Sequence, residues 1–278
     1  MREDRWRFDA ALDRARVSAY APGEFVGQEG FMTAAEISAL AAQAGIAPGV
    51  TVLDVCCGIG GPGRFLTGQL GCGYLGVDES AVAVTLAREC TNALPCRFAV
   101  GQVPPLPAGS FDVVLLLEAM LAFEEKDALV RAIAAALLPG GRFAFTLEAG
   151  PPLTTAERAA MPAAGTVWPT PLDEMTACLE RAGFVVTWQE DHSRAHGAIA
   201  QALTCAFAAN AEDLAGQLGR RRLDYLLATH RLWTKWLEEG RMRKLAVVAE
   251  RAPSFQISSV RARESEFDWA AEGQRELS

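Results

Sequence analysis

The chain is poor in histidine and in basic charge, and it lacks a long apolar run. It has three histidines in 278 residues, a formal net charge of −8 and a sequence pI of about 5.1. No basic stretch is interleaved with aromatic residues, which argues against a nucleic-acid partner. The sequence has no run of about eighteen apolar residues, so it predicts no membrane span. Met1–Arg5 is too charged to begin a signal peptide, so we expect a cytoplasmic protein.

Cysteine is present, but in no metal-binding pattern. The seven cysteines include the adjacent pair Cys56 and Cys57, and the other five are scattered along the chain. None of the spacings is that of a zinc site, and a cytoplasmic chain keeps its thiols reduced. We therefore expect mostly buried free thiols, with no disulfide and no bound metal.

Hydrophobic periodicity alternates between strands and helices along the chain. Half of the residues are hydrophobic, which is enough for one large core with an appended cap. Strands are predicted at 51–56, 73–77, 97–100, 112–117, 142–148, 184–189 and 245–250. Helices are predicted at 2–19, 34–44, 62–70, 80–92, 125–138, 172–182, 195–209 and 211–239. This alternation predicts an α/β fold with a parallel sheet and helices on both faces.

The most informative local pattern is a glycine-rich turn between a buried strand and a helix. Val52–Val55 is typical of the strand, and Gly58, Gly60 and Gly63 follow it. Glycine lets the backbone turn sharply and approach a ligand closely. A second strand then delivers Asp78, twenty residues after Gly58, where a carboxylate can accept hydrogen bonds from ribose hydroxyls. The pattern predicts a pocket for an adenosine-containing cofactor.

Two kinds of adenosine cofactor fit such a pocket. The three glycines satisfy the dinucleotide pattern G-x-G-x-x-G, which keeps an NAD(P)-dependent oxidoreductase open as an alternative. Asp54 inside the strand argues against a dinucleotide, because such a strand is normally apolar throughout. Pro62 removes one backbone N–H group that a pyrophosphate would bind. S-adenosylmethionine has no phosphate, and Asp54 would place a negative charge near its amine and sulfonium.

Five segments, taken in order, resemble the class I S-adenosylmethionine-dependent methyltransferases that act on small molecules. They are Val52–Gly60, Leu75–Ser80, Gly101–Pro107, Phe111–Glu118 and Leu138–Arg142, and the resemblance runs from about residue 20 to residue 250. It implies a Rossmann-like, mostly parallel seven-stranded sheet with an antiparallel last strand and helical cap or lid segments. It also implies methyl transfer from S-adenosylmethionine to an O, N or C nucleophile by in-line displacement.

The resemblance also assigns cofactor contacts to positions of this chain. Asp78 and Glu79 follow the second strand on the ribose side, and Gln102 and Val103 lie in the adenine-binding segment. The other expected cofactor-binding residues are Gln28 in the N-terminal loop, Asp54, Cys57, Gly58 and Gly60 in the first motif, and Leu117 at the end of the fourth strand.

Two positions depart from the family pattern. Cys56 stands where a first glycine is usual, and Gln102 stands where an Asp is usual. A glutamine can accept from the adenine amino group and donate elsewhere, whereas an aspartate can only accept. These departures keep open a methyltransferase-like protein with a non-methylating activity, such as a cyclisation.

Candidates for a general base are few. Glu118 ends the fourth strand beside the expected cofactor, and His192 and His196 follow the sixth strand. Family members often place a histidine soon after the fourth-strand acid, but Leu121 and Ala122 occupy those positions here. Methyl transfer needs mainly alignment and exclusion of water, with a base when the nucleophile is a hydroxyl or a carbon acid. Glu118, His192 and His196 are therefore the predicted catalytic residues.

We expect one methyltransferase-like domain over residues 1–278. Residues 1–45 would form N-terminal helices and a cofactor-covering loop, while 149–171 and 191–240 are candidate lid or substrate-cap segments. Residues 252–278 are polar and aperiodic, so a poorly ordered tail is expected. The expected partner is a small-molecule substrate, without nucleic acid or membrane, and a homodimer stays open.

Overall fold

A computed structural model describes residues 10–91, 94–107, 110–162 and 164–252. Its strands are β1 (Thr51–Val55), β2 (Gly73–Asp78), β3 (Cys96–Val100), β4 (Phe111–Leu116), β5 (Leu137–Ala149), β6 (Phe184–Asp191) and β7 (Arg243–Arg251). Its helices are α1 (Ala10–Ser18), α2 (Ala34–Gln43), α3 (Gly61–Leu70), α4 (Ala81–Glu89), α5 (Lys126–Ala136), α6 (Thr155–Ala160), α7 (Leu172–Arg181), α8 (Ser193–Ala209), α9 (Ala211–Leu218) and α10 (Arg220–Glu238). No helix of these ranges is long and apolar enough to cross a bilayer.

The strands form a single seven-stranded sheet in the order β3-β2-β1-β4-β5-β7-β6. The neighbours among β1 to β5 are parallel, and β7 lies antiparallel between β5 and β6. Strand β6 therefore runs in the same direction as the first five, and only β7 is reversed. This topology confirms the predicted fold class.

Helices cover both faces of the sheet, as the long apolar strands require. On one face α5 and α7 contribute Ile133 and Leu179 to a fully buried cluster. On the other face α2, α3 and α4 contribute Ile37, Leu66 and Val84. Because both faces are covered, the ends of the strands are the part of the sheet that remains for a ligand site.

A helical cap lies over the edge at which the parallel strands end. Helices α8, α9 and α10 are inserted between β6 and β7, and they share a third hydrophobic cluster with α1. Strand β6 ends at this edge and the antiparallel β7 begins there, so the insertion returns to the sheet beside the candidate site. Tyr20 and Phe31 of the N-terminal segment are buried in the same cluster.

Several predicted helix bounds need correction. The helix predicted at 211–239 is two helices, because Gly219 adopts φ +83° and its N–H bonds to Ala215, which ends α9. Residues 149–171 contain a helix, α6, because Thr154 and Glu157 form a capping box that starts it. Helix α5 stops at Ala136, since the following residue is extended and begins β5.

The remaining corrections concern ends of elements. Helix α4 stops at Glu89, three residues before the predicted end, because Cys90 already serves as its C-cap. Of the helix predicted at 2–19, the structure describes the part from Ala10 to Ser18. Residues 1–9 lie outside the described residues, and so does the predicted tail apart from Ala252.

Candidate functional site

The candidate site is the crevice where β1 and β4 end. β2 flanks β1 on one side and β4 flanks it on the other, so the chain leaves these strands in diverging directions. Open parallel sheets bind ligands at such a point. Cys56, directly after β1, has φ +61°, and Glu118, two residues after β4, has φ +56°. No other non-glycine residue of the described ranges has a positive φ, and such strain, about 1–3 kcal/mol each, concentrates at functional sites.

The glycine turn is tied to the end of β2 by Asp78. The Gly58 N–H donates to Asp78 Oδ2 at 2.9 Å, and the Ser80 N–H donates to Oδ1 at 2.9 Å. Gly58 and Gly60 adopt φ +55° and +70°, a region that L-residues with a Cβ rarely enter. The Asp78 carboxylate has about four lone-pair sites, so it keeps capacity for further donors beyond these two amides.

The helix after the turn packs closely against the sheet. A Cβ at Gly60 would overlap the Phe98 ring, and one at Gly63 would overlap the Tyr74 hydroxyl. The two aromatic rings themselves meet edge to face at 5.7 Å. Packing therefore requires glycine at Gly60 and Gly63, independently of any ligand. The close packing at these two positions holds the start of α3 at the crevice.

Asp54 lies beneath the crevice rather than on its surface. It is 3% exposed, and its carboxyl group accepts the hydroxyl of Tyr74. Burial raises the pKa of Asp54 to about 7, although the Tyr74 hydrogen bond opposes the shift. Burial likewise raises the pKa of the neighbouring Cys57 thiol, which packs against Gly76. Asp54 thus bonds within the fold, and its assignment as a charge beside the cofactor stays a prediction.

The other predicted cofactor residues lie at the ends of the central strands, with one exception. The Gly101 N–H bonds to the Asp78 carbonyl, which joins the segment holding Gln102 and Val103 to the end of β2. Gln102 and Glu79 are exposed, and Val103 and Leu117 are half-buried.

Gln28 is the exception, because its side chain serves its own loop. Its Oε1 accepts the Val26 N–H at 2.7 Å, and its Nε2 donates to the carbonyls of Glu24 and Met32 at 3.1 and 2.7 Å. It is 5% exposed. Its polar atoms therefore hold the shape of the N-terminal loop.

A buried charged network stands beside the crevice. Lys244 Nζ donates to Glu118 Oε2 and to Glu148 Oε1, each at 2.6 Å. Glu118 Oε2 also accepts the Phe31 N–H at 3.1 Å, and the Glu118 N–H donates to Thr146 Oγ1. The ammonium lies 5.3 Å from the centre of the Phe31 ring. Glu118 is thus committed to binding Lys244 and the N-terminal segment.

Charge in this network is unevenly shared. Burial raises the pKa of Glu118, but the Lys244 and His196 charges and the hydrogen bonds from Lys244 and Phe31 together outweigh burial and hold that pKa below its usual range. Burial also raises the pKa of Glu148, and there the Glu118 charge adds to the effect. The two carboxylates outweigh burial to raise the pKa of Lys244. The shifts of Glu118 and Lys244 are in the directions expected of an ion pair.

The two predicted catalytic histidines meet on one carboxylate. His192 Nδ1 lies 2.9 Å from Glu36 Oε1, and His196 Nε2 lies 3.0 Å from Glu36 Oε2. These histidine bonds outweigh burial and hold the pKa of Glu36 well below its usual range, and the Glu36 hydrogen bond raises the pKa of His192. His196 Nδ1 is buried and has no hydrogen-bond partner among the described residues. Sequence reasoning placed the histidines near the site but did not find Glu36.

Three functional residues escaped sequence reasoning: Glu36, Thr146 and Lys244. Lys244 precedes the apolar run of β7 and is 3% exposed, so a lysine at the margin of a buried strand was the available signal. Its pairing with Glu148 follows from the antiparallel register of β5 and β7. Glu36 is also the acid of a capping box at the start of α2, so it has a local structural role besides its contact with the two histidines.

The proline-rich segment 149–171 is held against the cap. Arg241 donates to Glu157 and to the carbonyls of Pro151 and Pro152. At the other end the Trp168 N–H bonds to the Leu121 carbonyl at 2.8 Å. These contacts place the segment at the rim of the candidate site, where the sequence predicted a lid.

Comparison with known proteins identifies the domain that carries this crevice. Residues 52–141 match the family model of a methyltransferase domain. The chain carries a class I S-adenosylmethionine-dependent methyltransferase domain. The matched residues begin in β1 and extend into β5, so they include the glycine turn, Asp78 and the strained Cys56 and Glu118. The family predicted from the motifs is confirmed.

One curated relative of this methyltransferase domain is the 2-methyl-6-phytyl-1,4-hydroquinone methyltransferase of Synechocystis. It is 39% identical over 97 residues, which make up 34% of this chain and 30% of the relative. The match thus spans less than a third of that protein's length.

Solved structures resemble this chain over most of its length. The cyclopropane synthase MmaA2 from Mycobacterium tuberculosis has a TM-score of 0.76 and 14% identity, covering 89% of this chain and 96% of that one. The [4+2]-cyclase SpnF has a TM-score of 0.70 and 19% identity, covering 88% and 93%. At these identities the likeness shows a common fold, including the cap.

Proposed function

We propose that this protein transfers a methyl group from S-adenosylmethionine to a small-molecule acceptor by in-line displacement. The observation that carries the proposal is the crevice itself. There the Gly58 turn is bound to Asp78, and the strained Cys56 and Glu118 stand at the ends of the two flanking strands. The same segment is the one that matches the methyltransferase domain.

The residues at the crevice suit the cofactor in kind and in place. Asp78 would accept the ribose hydroxyls with its remaining lone pairs. Gln102 and Val103 would meet the adenine, with Glu79 and Leu117 beside it. The backbone of the turn from Cys57 to Gly60 would approach the methionine part. When bound, S-adenosylmethionine supplies an electrophilic methyl group on a sulfonium.

Alignment and exclusion of water are the main tasks left to the protein. The cap and the N-terminal segment bury Phe31 and Trp233 beside the charged network. A dry, ordered site of this kind converts binding into alignment of the nucleophile with the methyl group. The aromatic lining fits an acceptor with an apolar body, which is the small-molecule class that we propose.

Where the acceptor needs a general base, we propose His196 for that role. With the proton on Nε2 and donated to Glu36, the Nδ1 lone pair is a buried acceptor without a partner among the described residues. Glu118 is a poorer base, because its charge is already shared by Lys244 and the Phe31 N–H. His192 Nδ1 lies 2.9 Å from a Glu36 oxygen, and its Nε2 lies 3.9 Å from a Glu190 oxygen. Because both nitrogens face carboxylates, we propose that His192 orients the Glu36 side chain.

Calorimetric titration of the full chain tests the proposal directly. We expect S-adenosylhomocysteine to bind in the micromolar range, about −8 kcal/mol, and NADH not to bind measurably. Tight NADH binding without S-adenosylhomocysteine binding would contradict the proposal and favour the oxidoreductase alternative.

A non-methylating activity on the same fold is the second candidate, and one observation favours it. Glu118 and Glu148, the acids beside the crevice, each bind Lys244 through one oxygen, as a cyclase that needs no proton transfer would allow. Incubation with a panel of phenolic, amine and polyene acceptors separates the two activities. Methyl transfer releases S-adenosylhomocysteine in proportion to product, whereas a cyclisation leaves S-adenosylmethionine unchanged.

A further inference from the structure

An N-terminal strap, residues 24–31, crosses the mouth of the crevice. At one end the strap lies on the glycine turn, because a Cβ built on Gly61 would come within 2.6 Å of the Gly27 carbonyl carbon. At the other end a Cβ on Gly30 would come within 2.6 Å of the Glu118 carboxyl carbon. The strap therefore extends from the start of α3, which follows the glycine turn, to Glu118, which follows β4.

At the far end of the strap, one carboxylate oxygen joins the backbone of the strap to a buried ammonium, and Arg16 pairs with Glu29 nearby at 2.9 Å. Glu118 Oε2 accepts the Phe31 N–H at 3.1 Å and the Lys244 ammonium at 2.6 Å. The Phe31 ring lies over that ammonium at 5.3 Å, within cation–π range. Tyr20 adds a hydrogen bond to the Gly30 carbonyl at 2.8 Å. Backbone, ring and carboxylate thus meet at one point.

We propose that Lys244 is a positioning residue that fastens the strap across the cofactor crevice by holding Glu118. The proposal rests on the proposed function, since it concerns entry to that same crevice. A carboxylate paired with an ammonium accepts a stronger, charge-assisted hydrogen bond than a neutral acid would. Without Lys244, Glu118 would be a buried unpaired acid and would lose much of its hold on the Phe31 N–H.

The strap is built to move as one unit when it is released. Gln28 joins Glu24, Val26 and Met32 through its side chain, so the loop is rigid between its two ends. Exchange of a bound cofactor would then require the bond between Glu118 and Phe31 to break, and its re-formation would close the site to water.

Hydrogen–deuterium exchange of the full chain without cofactor tests the fastening. Lys244→Met and Glu118→Leu should speed amide exchange in peptides covering 25–32 by at least about tenfold, the factor that corresponds to about 1.4 kcal/mol. Glu118→Gln keeps a neutral acceptor for the Phe31 N–H, so its effect should be intermediate. Glu148→Gln is the matched control, because Glu148 binds the same ammonium without touching the strap, and it should change exchange less than twofold.

The comparison is made against the strand peptide 52–55 to separate local from global opening. If Lys244→Met does not fold, Glu118→Gln and Gly30→Ala carry the test, since Gly30→Ala forces the strap from Glu118 by overlap alone. Unchanged exchange at 25–32 in the Glu118 variants would overturn the proposal. An equal effect of Glu148→Gln would also overturn it.

Measuring the dissociation of the cofactor product distinguishes this proposal from the proposed function. In Glu118→Leu, the dissociation rate of S-adenosylhomocysteine should rise at least about fivefold, in parallel with strap exchange. Strap exchange that follows the predicted order without any ligand binding would support the fastening and count against the methyltransferase function. Ligand that binds and dissociates at the wild-type rate from Glu118→Leu would overturn the role of the strap.

Discussion

The glycine turn and the charged network stand side by side at one edge of the sheet, yet they are built differently. The turn joins Gly58 to Asp78, twenty residues apart, through backbone amides and one carboxylate. The network joins Lys244 to Glu118, 126 residues apart, through buried ionic side chains. The first arrangement needs two adjacent strands, whereas the second needs β4, β5 and β7 all in place. The turn and the network therefore have separate structural requirements, and so do the binding and positioning roles that we propose for them.

Breaking the network should have the largest effect on stability. Lys244→Met leaves Glu118 buried beside Glu148 without a counter-charge, and removal of one partner of a buried ion pair costs about 3–5 kcal/mol. We expect that loss in the free energy of unfolding measured by urea denaturation. Arg181→Met breaks an exposed pair with Asp127 and is the control, because exposed pairs contribute little. Equal losses in the two variants would contradict the buried ionic role.

Titrating Asp54, the buried acid of β1, should have the next largest effect on the free energy of unfolding. The folded pKa of Asp54 is about 7 against an ordinary value of 3.8. The protonated acid is therefore the form that folding favours, so its stabilisation is complete below about pH 4 and is lost as pH rises through about 7. Relative to Asp54→Asn, the wild type should lose roughly 3–4 kcal/mol of unfolding free energy over that window.

Tyr74→Phe sharpens this pH test. The Tyr74 hydroxyl lowers the pKa of Asp54, so its removal should move the loss of stability to higher pH. Denaturation curves measured from pH 4 to pH 9 check both variants. A difference between wild type and Asp54→Asn that does not vary with pH would show that the acid is ionised throughout.

Removing the Asp78 carboxylate, which accepts the Gly58 N–H of the turn, should affect cofactor binding more than folding. Charged hydrogen bonds contribute about 1.5–3 kcal/mol each, so Asp78→Ala should weaken S-adenosylhomocysteine binding by at least about tenfold. Asp112→Ala is the control, because Asp112 bonds Thr51 at the opposite edge of the sheet. Calorimetry with circular dichroism checks the pair. A wild-type dissociation constant in a folded Asp78→Ala protein would rule out the ribose role.

Relieving strain in the turn should give the smallest effect, and of opposite sign. Cys56 has φ +61°, so Cys56→Gly removes about 1–3 kcal/mol of backbone strain and adds about 0.5–1 kcal/mol of unfolded-state entropy. We expect a net stabilisation of about 1 kcal/mol in thermal unfolding. Cys90→Gly is the control, since Cys90 is right-handed and should lose stability. A destabilised Cys56→Gly protein would mean that the thiol contributes packing that outweighs the strain.

The positive φ of Cys56 also clarifies the departure from the family pattern at that position. The family pattern has a glycine where this chain has Cys56, and the left-handed φ found there is the conformation that favours glycine. The glycine of the family pattern therefore reflects a left-handed backbone at this position. This chain adopts the same backbone conformation with a cysteine. Glu118 carries the same requirement after β4, but no glycine pattern pointed to it.

The sequence by itself determined the elements whose causes are local. Apolar runs and glycine-marked turns placed β1 to β4 within one residue at each end, and the spacing from Gly58 to Asp78 predicted that the glycine turn and the end of β2 belong to one pocket. Parallel strands joined by one helix leave little choice of neighbour, because the connection is short and right-handed. The end of α9 at Gly219 was equally local, and its glycine is a signal that sequence reasoning passed over.

Tertiary structure alone decided which side chains meet across the cap. Glu36 reaches His196 over 160 residues and Lys244 reaches Glu118 over 126, through an inserted helical bundle and a reversed strand. Periodicity reports which face of an element is buried, but it carries no information on which buried polar group lies opposite. That information depends on the order and register of the strands, and a one-residue shift of β7 would turn Lys244 to the other face.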